Sequence, residues 1–80
     1  MLCLVAMDRE TIVHLLADLE RLLAEGRAEI GKQTHHIQRL RDFGQDVADA
    51  VDLLRGLEES QAKNLAKRDR LKQRLIDTAH

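Results

Sequence analysis

Apolar residues recur along the first half of the chain in alternating steps of four and three. Because an α-helix makes two turns in about seven residues, this spacing places all of them on one stripe of a single helix. The pattern predicts a helix over residues 8–43, with Asp8 as its N-cap. The stripe consists of Ile12, Leu16, Leu19, Leu23, Gly26, Ile30, Gln33, Ile37 and Leu40, and it is widened by Leu15, Leu22 and Phe43.

A turn and a second, less regular stripe follow. Gly44 suits the left-handed position after a helix, and Asp46 suits the N-cap of the next one, with Asp49 in the place of a capping-box acid. We therefore expect a turn over residues 44–46 and a second helix over residues 47–78. Its predicted stripe consists of Val47, Ala50, Val51, Leu54, Leu57, Gln61, Leu65, Arg68, Leu71 and Leu75.

Gly26 and Gly31 leave an alternative open within the first helix. A glycine in a helix interior costs about 1 kcal/mol relative to alanine, so the helix could break around residues 25–27. We favour one continuous helix, because the phase of the stripe passes through Gly26 unchanged. A glycine on the stripe then serves to let another helix approach closely.

The composition indicates that the chain packs helix against helix and that it needs a partner subunit to complete its core. The chain has no Pro, Trp or Tyr, and a single Phe, while 44% of its residues are hydrophobic and 34% charged. A chain of 80 residues buries a limited core, and its lone cysteine, Cys3, cannot form an internal disulfide. We therefore expect an all-α antiparallel two-helix hairpin that dimerises into a four-helix bundle. Residues 1–7 are expected to be a flexible extension.

The charges support a fold-back at Gly44. Residues 8–31 hold six acids and three bases, and residues 61–80 hold six bases and two acids. Residues 32–44 hold three bases and one acid, and residues 45–60 hold five acids and one base. Folding the chain at Gly44 sets opposite signs side by side along the whole hairpin, which favours the antiparallel arrangement.

Three polar residues on or beside the stripes are candidates for special roles. Gln33 and Gln61 are polar seam residues of the kind that fixes register. Folding at Gly44 sets Gln33 nearest Leu57, with Gln61 about one turn further; the two amides either bond each other or are partly exposed. His36, at the edge of the stripe, would make the assembly respond to pH near 6 if it packs across an interface.

No set of residues indicates catalysis, and we expect neither an enzyme nor a cofactor. His35 and His36 are adjacent and diverge by about 100°, so they do not converge on one metal. Glu10, His14 and Asp18 share a face, but ordinary side-chain pairing explains them. The net charge of −1 gives no general attraction to nucleic acid or membranes. We expect no membrane span.

The alternative function is that of a small nucleic-acid-associated regulator. It would use the bases of residues 63–74, where no aromatic residue is interleaved for stacking on nucleic-acid bases. Our leading hypothesis is a non-enzymatic interaction or scaffold module. The predicted partners are a second copy of the chain and, beyond it, another helical protein.

Several segments resemble short uncharacterised proteins common in rhizobia and related α-proteobacteria. These segments are residues 27–40, 44–46 and 50–62, and residues 68–71, which read Arg-Asp-Arg-Leu. The resemblance covers most of residues 8–75, but Gln45 stands where the family usually has a turn histidine. It implies a bacterial cytoplasmic protein with a helix–turn–helix plan, and it transfers no activity and no functional residue.

Overall fold

The computed structural model describes residues 8–78, and in that range the chain forms two helices that pack against each other. Helix α1 runs over Arg9–Asp42 and helix α2 over Ala48–Thr78. The predicted all-helical fold with two packed helices is therefore confirmed. The hairpin measures 57 × 21 × 15 Å. The expected N-terminal extension, residues 1–7, lies outside the described residues, and so does Cys3.

Helix α1 begins at a capped N-terminus. The Asp8 side chain accepts a hydrogen bond of 2.8 Å from the backbone N–H of Thr11, which satisfies a donor that the helix itself leaves unpaired. The Thr11 side chain first, and its backbone N–H second, hold the pKa of Asp8 below its ordinary value of 3.8. Because folding lowers this pKa, the cap's contribution is complete above the unfolded-state pKa and disappears as the pH falls through the folded-state pKa.

Helix α1 continues through Gly26 without interruption, so the alternative break at residues 25–27 is not found. Its buried residues follow the predicted stripe: Ile12, Leu19, Leu23 and Ile37 are buried. The other predicted members, Leu16, Ile30, Gln33 and Leu40, are half-buried. The alternating spacing therefore describes which side of α1 faces α2.

The turn ends α1 with paired backbone hydrogen bonds. The N–H of Gly44 donates to the carbonyl of Arg41 at 2.9 Å, and the N–H of Gln45 donates to the carbonyl of Leu40 at 2.8 Å. This is the Schellman arrangement, which requires a left-handed backbone conformation at the residue that follows the C-cap. Gly44 supplies it with φ of 69°.

Helix α2 begins one residue later than we predicted. The Val47 carbonyl accepts the first helical bond, from the N–H of Val51 at 2.8 Å, so Val47 and not Asp46 is the N-cap. The Asp46 side chain instead accepts from the N–H of Ala48, two residues on, at 3.0 Å. It closes an Asx turn that leads into the helix, so the predicted capping box with Asp49 was wrong.

The seam of α2 differs from the predicted stripe at one position. Asn64 is half-buried, whereas Leu65 is exposed. The steps Gln61, Asn64, Arg68 keep the alternation of three and four, and a helix rotates about 100° per residue, which carries Leu65 out of the seam. The remaining predicted members of the stripe are half-buried: Val47, Ala50, Val51, Leu54, Leu57, Gln61, Arg68, Leu71 and Leu75.

Candidate interaction surface

Seven large apolar side chains are exposed among the described residues; Val13, Leu65 and Ile76 are three of them, and the other four share one flank of the hairpin. Leu15, Leu22, Phe43 and Leu53 are all exposed. Leu15 and Leu22 line one groove together with Lys67 and Arg74 of α2. Residues separated by multiples of seven lie on the same side of a helix in such a pair, which places Phe43 on the same side as Leu22, about 31 Å further along, and Leu53 on the same side as Lys67. We call this side, with Leu15, Leu22, Phe43, Leu53, Lys67 and Arg74, the leucine flank.

The groove lies at the open end of the leucine flank, away from the turn. It has a volume of about 450 Å³, and leucines from both helices form its apolar surface: Leu15, Leu19, Leu22 and Leu71. Four charged residues complete the lining: Asp18, Lys67, Arg70 and Arg74. The groove thus combines an apolar floor with a mainly basic rim.

The turn end of the same flank carries a protruding aromatic residue. Phe43 is 73% exposed, because it occupies the C-cap, where the chain already leaves the helix. It borders a shallow depression of about 260 Å³ together with His36, Arg39 and Leu40. Phe43 therefore packs little within its own hairpin, and its predicted role at an interface stays a prediction. The same holds for His36, which is exposed.

The opposite flank is covered by charge. Glu20 of α1 reaches Lys72 at 3.8 Å and Arg68 at 4.0 Å on α2. Arg68 is half-buried and also pairs with Asp69 at 3.2 Å. Leu65 lies seven residues before Lys72, and Val13 seven before Glu20, so both lie on this charged flank. The ion pairs agree with the antiparallel charge pattern of the sequence.

Both seam glutamines reach across to the other helix, but they do not bond each other. Gln33 Nε2 donates to the carbonyl of Ala50 at 2.9 Å, and Gln61 Nε2 donates to the carbonyl of Leu23 at 2.8 Å. The alternative of a bond between the two amides is therefore not found within the hairpin, and both side chains are half-buried, in agreement with the alternative that they are partly exposed. Each hydrogen bond joins a glutamine side chain of one helix to a backbone carbonyl of the other and so favours one register of the two helices.

Gly26 makes room for one of these amides. A Cβ placed at residue 26 would overlap the amide oxygen of Gln61. At Gly31, by contrast, a Cβ would meet no atom within 4 Å. The close approach that the sequence predicted at Gly26 is therefore made by a side chain, the Gln61 amide, and the glycine is a requirement of that hydrogen bond.

We predict that Gly26→Ala leaves the free energy of unfolding nearly unchanged. Alanine gains about 1 kcal/mol of helix propensity, but it displaces Gln61 and forfeits a hydrogen bond worth about 1 kcal/mol. Gly31→Ala, the matched control, should gain the full amount, and Gly26→Ala should gain it too in a Gln61→Ala background. Urea unfolding at one fixed protein concentration measures all four variants. Equal gains for Gly26→Ala and Gly31→Ala in the unmodified chain would contradict this role for Gly26.

The candidate metal ligands are not brought together. Among residues 8–78, no group of three or more His, Cys, Asp or Glu side chains is placed to hold a metal ion. This includes the face with Glu10, His14 and Asp18. His35 and His36 are both exposed on α1.

The basic segment of α2 divides between the two flanks. Arg68 and Lys72 face Glu20 on the charged flank, while Lys67, Arg70 and Arg74 line the groove. Lys63, Lys67, Arg70 and Arg74 follow steps of four and three and so share one side of α2. Nucleic-acid binding by residues 63–74 stays a prediction.

Comparisons with known proteins give no match: no family model, no curated protein and no solved structure resembles this chain. The resemblance to rhizobial proteins stays a prediction. Neither helix in residues 8–78 combines the length and apolar character needed to cross a bilayer.

Sequence reasoning missed the groove, although the signal was present. Leu15 and Leu22 are seven residues apart, and so are Lys67 and Arg74. In an antiparallel pair, equivalent flanks of the two helices adjoin, so these two repeats define one composite surface. Considered separately, the leucines widen the stripe of α1 and the bases form a run on α2, and neither pattern alone predicts the groove.

Proposed function

We propose that this chain is a non-enzymatic interaction module that acts as a homodimeric four-helix bundle, with the leucine flank as its interface. The observation that carries the proposal is that Leu15, Leu22, Phe43 and Leu53 are exposed on one side. They form two apolar patches, Leu15 and Leu22 at the open end and Phe43 and Leu53 at the turn end, separated along α1 by Glu29 and His36. Exposed apolar residues bordered by charge are typical of protein–protein contact.

The thin core of the single hairpin supports the same proposal. Over Ala48–Thr78, the range in which the structure describes α2, no residue is buried. Burying a leucine or phenylalanine side chain contributes about 1.5–3 kcal/mol, so covering the four apolar residues of each chain would add substantially to a marginal fold. A second hairpin is a sufficient cover, since two such layers form a four-helix bundle.

The proposed role is that of a scaffold whose ends and outer helix faces stay available to another helical protein. The proposal sets it in the bacterial cytoplasm, on the strength of its lone cysteine and the rhizobial resemblance. In this proposal the bases of residues 63–74 have two roles. On the charged flank they pair with Glu20 and stabilise the fold, and on the leucine flank they line the groove that forms part of the interface.

Lysine substitutions on the two flanks test the interface. We expect the Leu15→Lys/Leu22→Lys variant to lose dimerisation, because it would desolvate two ammonium groups against apolar surface. Its circular dichroism should stay helical, since both leucines are already exposed. The matched control, Val13→Lys/Leu65→Lys, makes the same charge change on the charged flank and should remain a dimer. Light scattering after size exclusion measures the mass of each.

Equal masses for the two double variants would contradict the leucine flank as the interface. Loss of dimer in the control alone would move the interface to the charged flank. Circular dichroism of the same samples detects any loss of helicity in either variant, so a folding defect is not mistaken for dissociation.

A further inference from the structure

We propose that the groove at the open end of one chain receives the turn end of a second copy, so that the two hairpins lie antiparallel with their turns at opposite ends of the dimer. This inference rests on the proposed homodimer and specifies what occupies the groove. The occupant is the partner's Phe43 and Leu53, with the partner's Asp46 and Asp49 beside them.

Shape is the first argument. The leucine flank has a recess of about 450 Å³ at one end and a phenylalanine that is 73% exposed at the other. If the turns lay at the same end, recess would face recess and Phe43 would face Phe43. That arrangement would leave a large unfilled cavity at one end and hold the hairpins apart at the other, and close-packed interfaces avoid both. The antiparallel arrangement sets the protruding residue against the recess.

Position along the helices is the second argument. The groove extends over residues 15–22 of α1 and 67–74 of α2. At 1.5 Å per residue, the α1 segment of the groove lies about 9–20 Å from the first residue of α1, whereas Phe43 and Leu53 lie within about 8 Å of the turn end. The flank itself, from Leu15 to Phe43, therefore has the groove at one end and Phe43 at the other. A two-fold axis perpendicular to the helices, through the middle of the flank, therefore brings the partner's turn end onto the groove.

Charge is the third argument. The groove lining carries Lys67, Arg70 and Arg74 against one acid, Asp18. The turn and the first turn of α2 carry Asp46 and Asp49, against one base, Arg39, that borders Phe43. With turns together, Lys67 and Arg74 would lie at the same height as their own copies across the bundle. With turns apart, they lie opposite acids of the partner, and opposite charges favour that register.

The distance between the turns of the two chains in the dimer distinguishes the antiparallel arrangement from one with both turns at the same end. A spin label is attached at Gln45→Cys in a Cys3→Ser background, and the distance between labels in the dimer is measured by pulsed electron paramagnetic resonance. We expect about 45–55 Å, close to the 57 Å length of the hairpin. A distance below about 25 Å, the spacing of neighbouring helices plus the labels, would overturn the antiparallel arrangement while leaving the homodimer intact. A monomeric mass in the same sample would overturn the homodimer itself, and this inference with it.

Charge reversal gives an independent test. Asp49→Lys and Arg70→Glu should each raise the dimer dissociation constant about tenfold, since each occurs twice in a symmetric interface. The double variant Asp49→Lys/Arg70→Glu should return to within about threefold of the unmodified chain, because the antiparallel arrangement places these two positions opposite each other. Glu59→Lys, the same reversal on the outer face of α2, is the control and should change nothing. Additive weakening in the double variant would contradict the arrangement.

Discussion

Replacing Leu23 by alanine is expected to destabilise the hairpin by about 2–5 kcal/mol. The Leu23 side chain is fully buried at the seam, and truncating a buried leucine loses its transfer free energy and leaves a cavity. The stability of a whole small domain is about 5–15 kcal/mol, so this loss is a large fraction of the total, and the unfolding temperature of the variant should fall well below that of the unmodified chain. Thermal unfolding followed by circular dichroism measures the effect, at a fixed protein concentration because dimerisation contributes to stability.

Leu65→Ala is the matched control for this prediction. It removes the same atoms, but Leu65 lies at the edge of the seam and is 37% exposed, whereas Leu23 is fully buried, and we expect a loss of about 1 kcal/mol, well below that of Leu23→Ala. Comparable losses for the two variants would mean that the seam described here is not where the folding energy is concentrated. The contrast also tests the correction of the sequence prediction, which placed Leu65 on the seam.

Replacing Gly44 by alanine is expected to destabilise the turn by about 1–2 kcal/mol. The residue has φ of 69°, and an L-residue with a Cβ is disfavoured in this left-handed region by about that amount. A Cβ at residue 44 would meet no atom within 4 Å, so the loss would come from the backbone conformation and not from a steric clash with neighbouring atoms. Chemical denaturation measures it directly.

Gly56→Ala is the control for the turn. Gly56 lies within α2, and a Cβ there also meets open space, so alanine should stabilise the helix by about 1 kcal/mol. The two substitutions are chemically identical and should act in opposite directions. A stabilising effect of Gly44→Ala would contradict the Schellman turn and favour one continuous helix through residue 44.

The sequence predicted the parts of the fold that depend on periodicity. The spacing from Ile12 to Leu40 indicated one helix and the side that it buries, because a stripe in constant phase needs no information from the rest of the chain. Gly44 was recognisable as the fold-back point from its position after the last periodic residue and from the change in charge around it. Helix α1 begins at Arg9, directly after the predicted cap Asp8.

What the sequence did not predict depends on the relative register of the two helices. Asn64 replaces Leu65 on the seam because the rotation of α2 is set by its neighbours, whereas hydrophobicity alone favours the leucine. The acceptors of Gln33 and Gln61 are backbone carbonyls, which every residue offers, so no sequence signal identifies them. The groove joins residues about 50 positions apart, and only the packed hairpin brings Leu22 beside Lys67.

Sedimentation equilibrium of the unmodified chain tests the central claim most directly. The chain has a mass of 9.1 kDa, and at concentrations from about ten to a few hundred micromolar, the range of ordinary specific self-association, we predict a fit to a monomer–dimer equilibrium that approaches twice that mass. A single species of 9.1 kDa at the highest concentration, with the helical content of the folded hairpin, would contradict the account, because it would show that the leucine flank remains exposed to water.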